Sequence, residues 1–187
     1  MRLSANFTLA EFTKSQTATR KGLDNTPNDD HLTSAKSLFA NVVQPVRDHF
    51  GVTVINSGYR GPALNEAVGG SSNSQHCKGE AVDIECPGVP NYDVAQWIEQ
   101  NLDFDQLILE FYTPGIPDSG WVHVSYKTEG NRKSVLTAMK ENGKTVSYNK
   151  YVYYVFKHSN DICSTSDYRH SRCRYVCDEI TSRQRHT

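Results

Sequence analysis

Ser74-Gln75-His76-Cys77-Lys78-Gly79-Glu80-Ala81-Val82-Asp83, followed further on by Trp121-Val122-His123-Val124-Ser125, decides how this chain reads. The two stretches offer two imidazoles and one carboxylate, each in a segment that looks ordered. Gly79 to Ile84 ends in strand-like alternation, so Asp83 should project from a stiff element. Taken as part of the same extended run, Cys77 should point away from its neighbour His76. Trp121, His123 and Ser125 share one face of a second strand, with Val122 and Val124 on the other. Two rigid strands can fix three ligands about 2 Å from an ion and leave a fourth position to water. That is the requirement of a catalytic zinc, whereas a structural zinc is usually closed by four protein ligands. The same donor set also suits Fe(II) or Mn(II).

Outward from these stretches the chain alternates helical and extended patterns. Phe7, Leu9 and Phe12 mark a short packed turn or helix. Asn25-Thr26-Pro27-Asn28-Asp29-Asp30 starts a helix whose polar side chains can cap free N–H groups. Leu32, Ala35, Leu38, Phe39, Val42, Val43, Val46 and Phe50 then keep helical spacing, with a bend or restart expected at Pro45. Val52 to Ile55 reads as a strand, Pro62 to Val68 as a second helix, and Gly69 to Ser74 as a flexible loop leading into His76. Asn91 to Leu102 is a third helix. Gln106 to Phe111 and Trp121 to Tyr126 are strands joined by a Pro/Gly-rich loop, and Ser134 to Met139 an added edge strand. The sum is an α+β fold, helices packed on a small, largely antiparallel sheet that carries the metal site.

The chain has 187 residues, one domain's worth of core, and its 37% hydrophobic and 22% charged content is ordinary for a globular protein. A net charge of −1 gives no general attraction to nucleic acid or to an anionic membrane. No run approaches the ~20 apolar residues of a membrane span, and the first residues lack the apolar core of a signal peptide. Synthesis in a cytoplasm, as a monomer, is the expectation. Cys77, Cys86, Cys163, Cys173 and Cys177 are odd in number and read as reduced thiols. Composition changes near residue 145. From 151 onward six Lys and Arg stand against four Asp and Glu. Residues 1–145 are therefore taken as the functional domain, and 146–187 as a poorly ordered end or a partner-binding extension. Cys163, Cys173 and Cys177 with His158 and His170 match no standard zinc-knuckle spacing.

Ser-x-His-x-x-Gly-x-Ala-x-Asp with a later Trp-x-His resembles the zinc D-alanyl-D-alanine carboxypeptidase and murein endopeptidase family, in its branch of small phage and bacterial peptidases. Asp24-Asn25-Thr26-Pro27, Ser57-Gly58-Tyr59-Arg60, Leu64-Asn65 and Phe104-Asp105-Gln106-Leu107-Ile108 fit the same order, over roughly residues 1–140. The resemblance selects zinc, one catalytic ion held by His76, Asp83 and His123. It implies hydrolysis of the peptide stem of bacterial peptidoglycan, as a D,D-carboxypeptidase or an L-alanyl-D-glutamate-type endopeptidase. It further implies a phage lytic enzyme reaching the cell wall through a holin pore or with the infecting particle.

Amide hydrolysis needs a general base, and in the family a carboxylate often stands three residues before the second His. Here that position is Gly120. Glu110, at the end of the Gln106–Phe111 strand, and Asp118, in the loop, are the substitutes, and a strand end holds a carboxylate more firmly than a Pro/Gly loop. Arg60, at a strand–helix junction, can grip a carboxylate through two parallel hydrogen bonds; the resemblance gives it a substrate or oxyanion role. Ser74, Gln75 and Trp121 are candidates for substrate contact, Asn65 a weaker one. The competing reading takes Gly120 as lost chemistry, leaving a zinc fold that only binds peptidoglycan or sits in a phage tail.

Overall fold

A computed structural model describes residues 1–149 of the chain. Residues 150–187, with Cys163, Cys173, Cys177, His158 and His170 and the expectation of a poorly ordered or partner-binding end, lie outside the described residues. The N-terminal part is helical: α1 (Leu9–Thr13), α2 (Gln16–Lys21), α3 (Asp29–Leu38) and α4 (Gln44–Phe50). Thr8 and Glu11 close a reciprocal cap on α1, and Asn28 caps α3 by accepting from the His31 N–H. Pro45 does not break the helical path. It sits in the first turn of α4, and the residues before it, Phe39–Val43, widen into a single π-helical turn in which the Gln44 N–H reaches back to the Phe39 carbonyl. Leu38, Phe39, Val42, Val43 and Val46 are fully buried there, and Phe7 and Phe12 each meet the Phe39 ring edge-on at 5.3 Å.

The remaining elements are β1 (Val54–Ser57), α5 (Pro62–Ala67), β2 (Ala81–Glu85), α6 (Asn91–Asn101), β3 (Gln106–Glu110), β4 (Trp121–Ser125), β5 (Ser134–Glu141) and β6 (Lys144–Asn149). The strands form one sheet in the order β1-β2-β4-β3-β5-β6, antiparallel except for the β3–β5 pair. The α+β, largely antiparallel expectation is met. Val82, Ile84, Leu107, Leu109, Val122 and Val124 make one fully buried face, and α6 packs on β3 and β4 with Val94, Ala95 and Ile98 buried. Alternation therefore leaves Asp83, Ile108, Glu110, Trp121 and His123 together on the other face.

Two expectations need correction. Residues 75–78 form a single 3-10 turn rather than a strand, so His76 and Cys77 hang from a tight turn and the strand argument for Cys77 does not apply. Cys77 is half-buried, and both it and the buried Cys86 are free thiols. Finally, β5 is not at the sheet edge: β6 pairs along it through the Asn142-Gly143 hairpin. That dipeptide is a strong hairpin signal. β6 spans the 145/146 position where composition begins to change.

Asp105 fastens this part of the sheet. Fully buried at the start of β3, it accepts from the Arg132 backbone N–H at 3.2 Å, from the Arg132 side chain at 2.9 and 2.5 Å, and from Lys127 Nζ at 3.1 Å. Its carbonyl also takes the Ser134 N–H that opens β5. Burial alone would raise this carboxyl, but the hydrogen bonds from Arg132 and Lys127 reverse that and pull it down to about 2. The unfolded value is near 3.9. Its contribution is thus complete above about pH 4 and is lost as pH falls towards 2. Asp105→Ala is expected to cost about 1–3 kcal/mol at neutral pH by denaturant unfolding, and to lose less stability than the native chain between pH 5 and 3.

Candidate metal and catalytic site

β2 and β4 are direct neighbours, and their register places Asp83 opposite His123. A cross-strand pair on one face brings side chains within reach of each other, and His123 Nδ1 lies 2.8 Å from Asp83 Oδ1. The 3-10 turn delivers the third group: His76 Nε2 is 3.2 Å from His123 Nδ1 and 3.3 Å from Asp83 Oδ1. Bonds of about 2.0–2.1 Å to a tetrahedral ion set neighbouring ligand atoms about 3.3 Å apart. Three donors from distant parts of the chain converge at that spacing and are buried, so they could hold a metal ion. The metal-ligand reading of His76, Asp83 and His123 fits the geometry.

The groups around the triad keep these donors in a ligating state. Gly58 O lies 2.7 Å from His76 Nδ1, so that nitrogen carries the proton and Nε2 is left with its lone pair toward the other two. Burial pushes His76 below the ordinary imidazole range, although Asp83 opposes the shift. Burial by itself would raise Asp83, but its close contacts with His76 and His123 more than offset it, holding the carboxyl well below the usual range. A neutral imidazole and an ionised carboxylate are the forms a metal requires.

Arg60 completes the surroundings. Its Nη2 donates to Asp83 Oδ2 at 3.0 Å and its Nε to Ser57 Oγ at 3.0 Å. One oxygen of Asp83 is thereby occupied by the guanidinium while the other faces the imidazoles. Ser57 and Gly58, both inside a motif the sequence reading singled out, had been given no role. Their part comes from tertiary packing that sequence spacing does not encode. Gly58 is pressed against Phe12: a Cβ there would lie 2.2 Å from the Phe12 carbonyl oxygen. Asn25 ties the same region together, donating to the Thr13 and Tyr59 carbonyls and accepting from the Gly61 N–H.

Glu110 ends β3 opposite Trp121, on the same face as His123. It is half-buried, and burial first, then the charge of Asp83, raises its carboxyl above the ordinary range. Asp118 is exposed in the loop. Gly120 cannot carry the missing carboxylate. Its φ is +66°, and a Cβ there would stand 1.9 Å from the Glu110 carbonyl oxygen. The position is closed by the backbone of the residue that offers the alternative carboxylate. Trp121 is half-buried beside Glu110, its ring edge-on to Phe111 at 5.2 Å. Ser74 lies just before the turn and is half-buried. Gln75 is turned to Glu80, donating to its Oε2 at 3.1 Å, and Asn65 to the Ser71 carbonyl at 2.9 Å.

The family model described as Peptidase M15 matches residues 5–125, which is more than half of the chain and includes all three donors. The chain belongs to the Peptidase M15 family. These are zinc-dependent peptidases of the D-alanyl-D-alanine carboxypeptidase and endopeptidase type, so the protein is a metallopeptidase hydrolase. Among curated proteins, none matches it.

Two outcomes follow from this geometry. Arg60→Ala is expected to weaken zinc binding about 10–100-fold in a competition titration, as loss of a group that holds a ligand does. Gly120→Ala, forced against the Glu110 carbonyl, is expected to lose about 1–3 kcal/mol or more in thermal unfolding.

Proposed function

We propose that this M15 peptidase hydrolyses the peptide stem of bacterial peptidoglycan, with Glu110 as its general acid/base. The single observation that carries the reading is the placement of Glu110: half-buried, raised in pKa, and on the same sheet face as the His76–Asp83–His123 group. Bound there, zinc would polarise the scissile carbonyl and lower the pKa of water in the open position towards ~7. Glu110 accepts the proton of the attacking water on its carboxylate and passes it to the nitrogen of the leaving amine. A carboxyl raised by burial is better matched to that return step near neutral pH. Trp121 and Ser74 line the approach and contact the substrate backbone.

Arg60 bears on which bond is cut. A carboxypeptidase needs a cation free to grip the terminal carboxylate of its substrate. Arg60 aims one edge at Ser57 and Asp83, which favours the endopeptidase reading, cleavage between L-alanine and D-glutamate. The phage-type branch that the motif order resembles places such an enzyme at the cell wall of the host, acting as a monomer released from the cytoplasm or carried on the particle. The alternative of a non-catalytic wall-binding module drew its force from Gly120. With that position closed to any side chain and Glu110 beside it, the glycine no longer argues for lost chemistry.

Glu110→Gln is expected to lower kcat on purified peptidoglycan by 10²–10⁴-fold with zinc content unchanged, while Asp118→Asn stays within about threefold of the native enzyme. Mass spectrometry should find stem peptides with a new N-terminal D-glutamate; free D-alanine would mean a carboxypeptidase. A Glu110→Gln protein that hydrolyses normally would refute the assignment. Wall affinity without any products from the native chain would favour the binding module.

A further inference from the structure

Phe111, immediately after Glu110, has φ +54°, a left-handed conformation that L side chains seldom take. Among the described residues only Lys133 and Asn142 share this feature without being glycine, and Asn142 belongs to a tight hairpin that calls for it. No such turn chemistry explains an aromatic residue at the end of β3. Backbone strain of this kind persists only where the surroundings over-determine it, and it gathers at functional sites.

The surroundings of Phe111 do over-determine it. Its N–H donates to the Ala138 carbonyl at 2.8 Å, tying it to β5. Its ring meets the Trp121 ring edge-on at 5.2 Å and has Lys140 Nζ over it at 5.4 Å from the centroid. Across the hairpin stands Gly120, also left-handed, packed against the Glu110 carbonyl. The pair Glu110–Trp121 is therefore bracketed by two left-handed residues, one on each strand. The turn at Phe111 stops β3 directly after the carboxylate and fixes the peptide plane that follows it.

We infer that Phe111 is a positioning residue: its clamped ring holds the strained backbone that aims the Glu110 carboxylate at the reaction centre. The inference rests on the acid/base reading of Glu110. Released from the clamp, residue 111 can relax towards extended backbone, and the Glu110 carbonyl moves against Gly120. The carboxylate then loses its aim while the triad, carried by β2, β4 and the 3-10 turn, keeps its geometry.

The test is steady-state hydrolysis of purified peptidoglycan by Phe111→Ala, Phe111→Gly and Phe111→Tyr proteins, each also made in a Glu110→Gln background, with zinc content measured in all. Phe111→Ala is expected to lower kcat about 10-fold or more with KM within twofold and zinc stoichiometry unchanged. Phe111→Tyr, which keeps the ring, recovers most of that loss. Phe111→Gly falls between, since glycine takes the left-handed conformation without the clamp. In the Glu110→Gln background Phe111→Ala should add almost nothing, because residues that act as a unit are not additive. An unaltered kcat in Phe111→Ala, or the same fold loss with and without Glu110, overturns the inference. Should Phe111→Ala fail to fold, Phe111→Gly carries the same comparison. A Glu110→Gln protein as active as the native one instead defeats the acid/base reading, which the single variant reveals by itself.

Discussion

Asp83 lies opposite His123 across β2 and β4, and most of the site depends on that one pairing. These strands sit inside the sheet, flanked by β1 on one side and β3 on the other, so the register cannot slip without turning the buried valines and isoleucine to the wrong face. A 2.8 Å contact between Asp83 Oδ1 and His123 Nδ1 follows from that register, and the 3-10 turn need supply only one more nitrogen. Three buried donors at this spacing, with a carboxylate held ionised among them, form a polar cluster that would be costly without a cation. Arg60 gives part of that compensation from the far oxygen of Asp83.

The helical N-terminal region serves the same centre from outside the sheet. Phe12 packs on Phe39 and against Gly58, and the Gly58 carbonyl lies 2.7 Å from His76 Nδ1. A chain of contacts thus runs from the aromatic core of α1 and the π-helical turn to the protonation pattern of an imidazole that could bind a metal. On the opposite flank Asp105 anchors residues 127–134, which fixes where β5 begins beside β3. β5 in turn holds Phe111, the residue after Glu110.

Much of this was legible in the sequence, for identifiable reasons. Alternation in Trp121–Ser125 set His123 on one face, and helical spacing marked α3, α4 and α6. His76, Asp83 and His123 could be named together because the order of the motifs resembles that of the zinc peptidases, and the match to the M15 family over residues 5–125 agrees with it. What the sequence did not reveal depended on long-range contact. His76 stands on a 3-10 turn rather than a strand, closed by left-handed Gly79, whose N–H reaches back to the Gln75 and His76 carbonyls. The π-helical turn at Phe39–Val43 accommodates Pro45 inside a continuous amphipathic helical stretch. Gly120 read as a lost carboxylate, since nothing local shows that the Glu110 carbonyl fills the space its side chain would need. The partner strand β6 was passed over although Asn142-Gly143 announces a hairpin.

One ion held by His76, Asp83 and His123 and used for hydrolysis is the central claim. The most direct test is release of peptides from purified peptidoglycan by the chelator-treated protein as zinc is added back. Activity absent without metal, rising with added zinc and saturating at one equivalent per chain, is the expected result. Full release by the metal-free protein would contradict it.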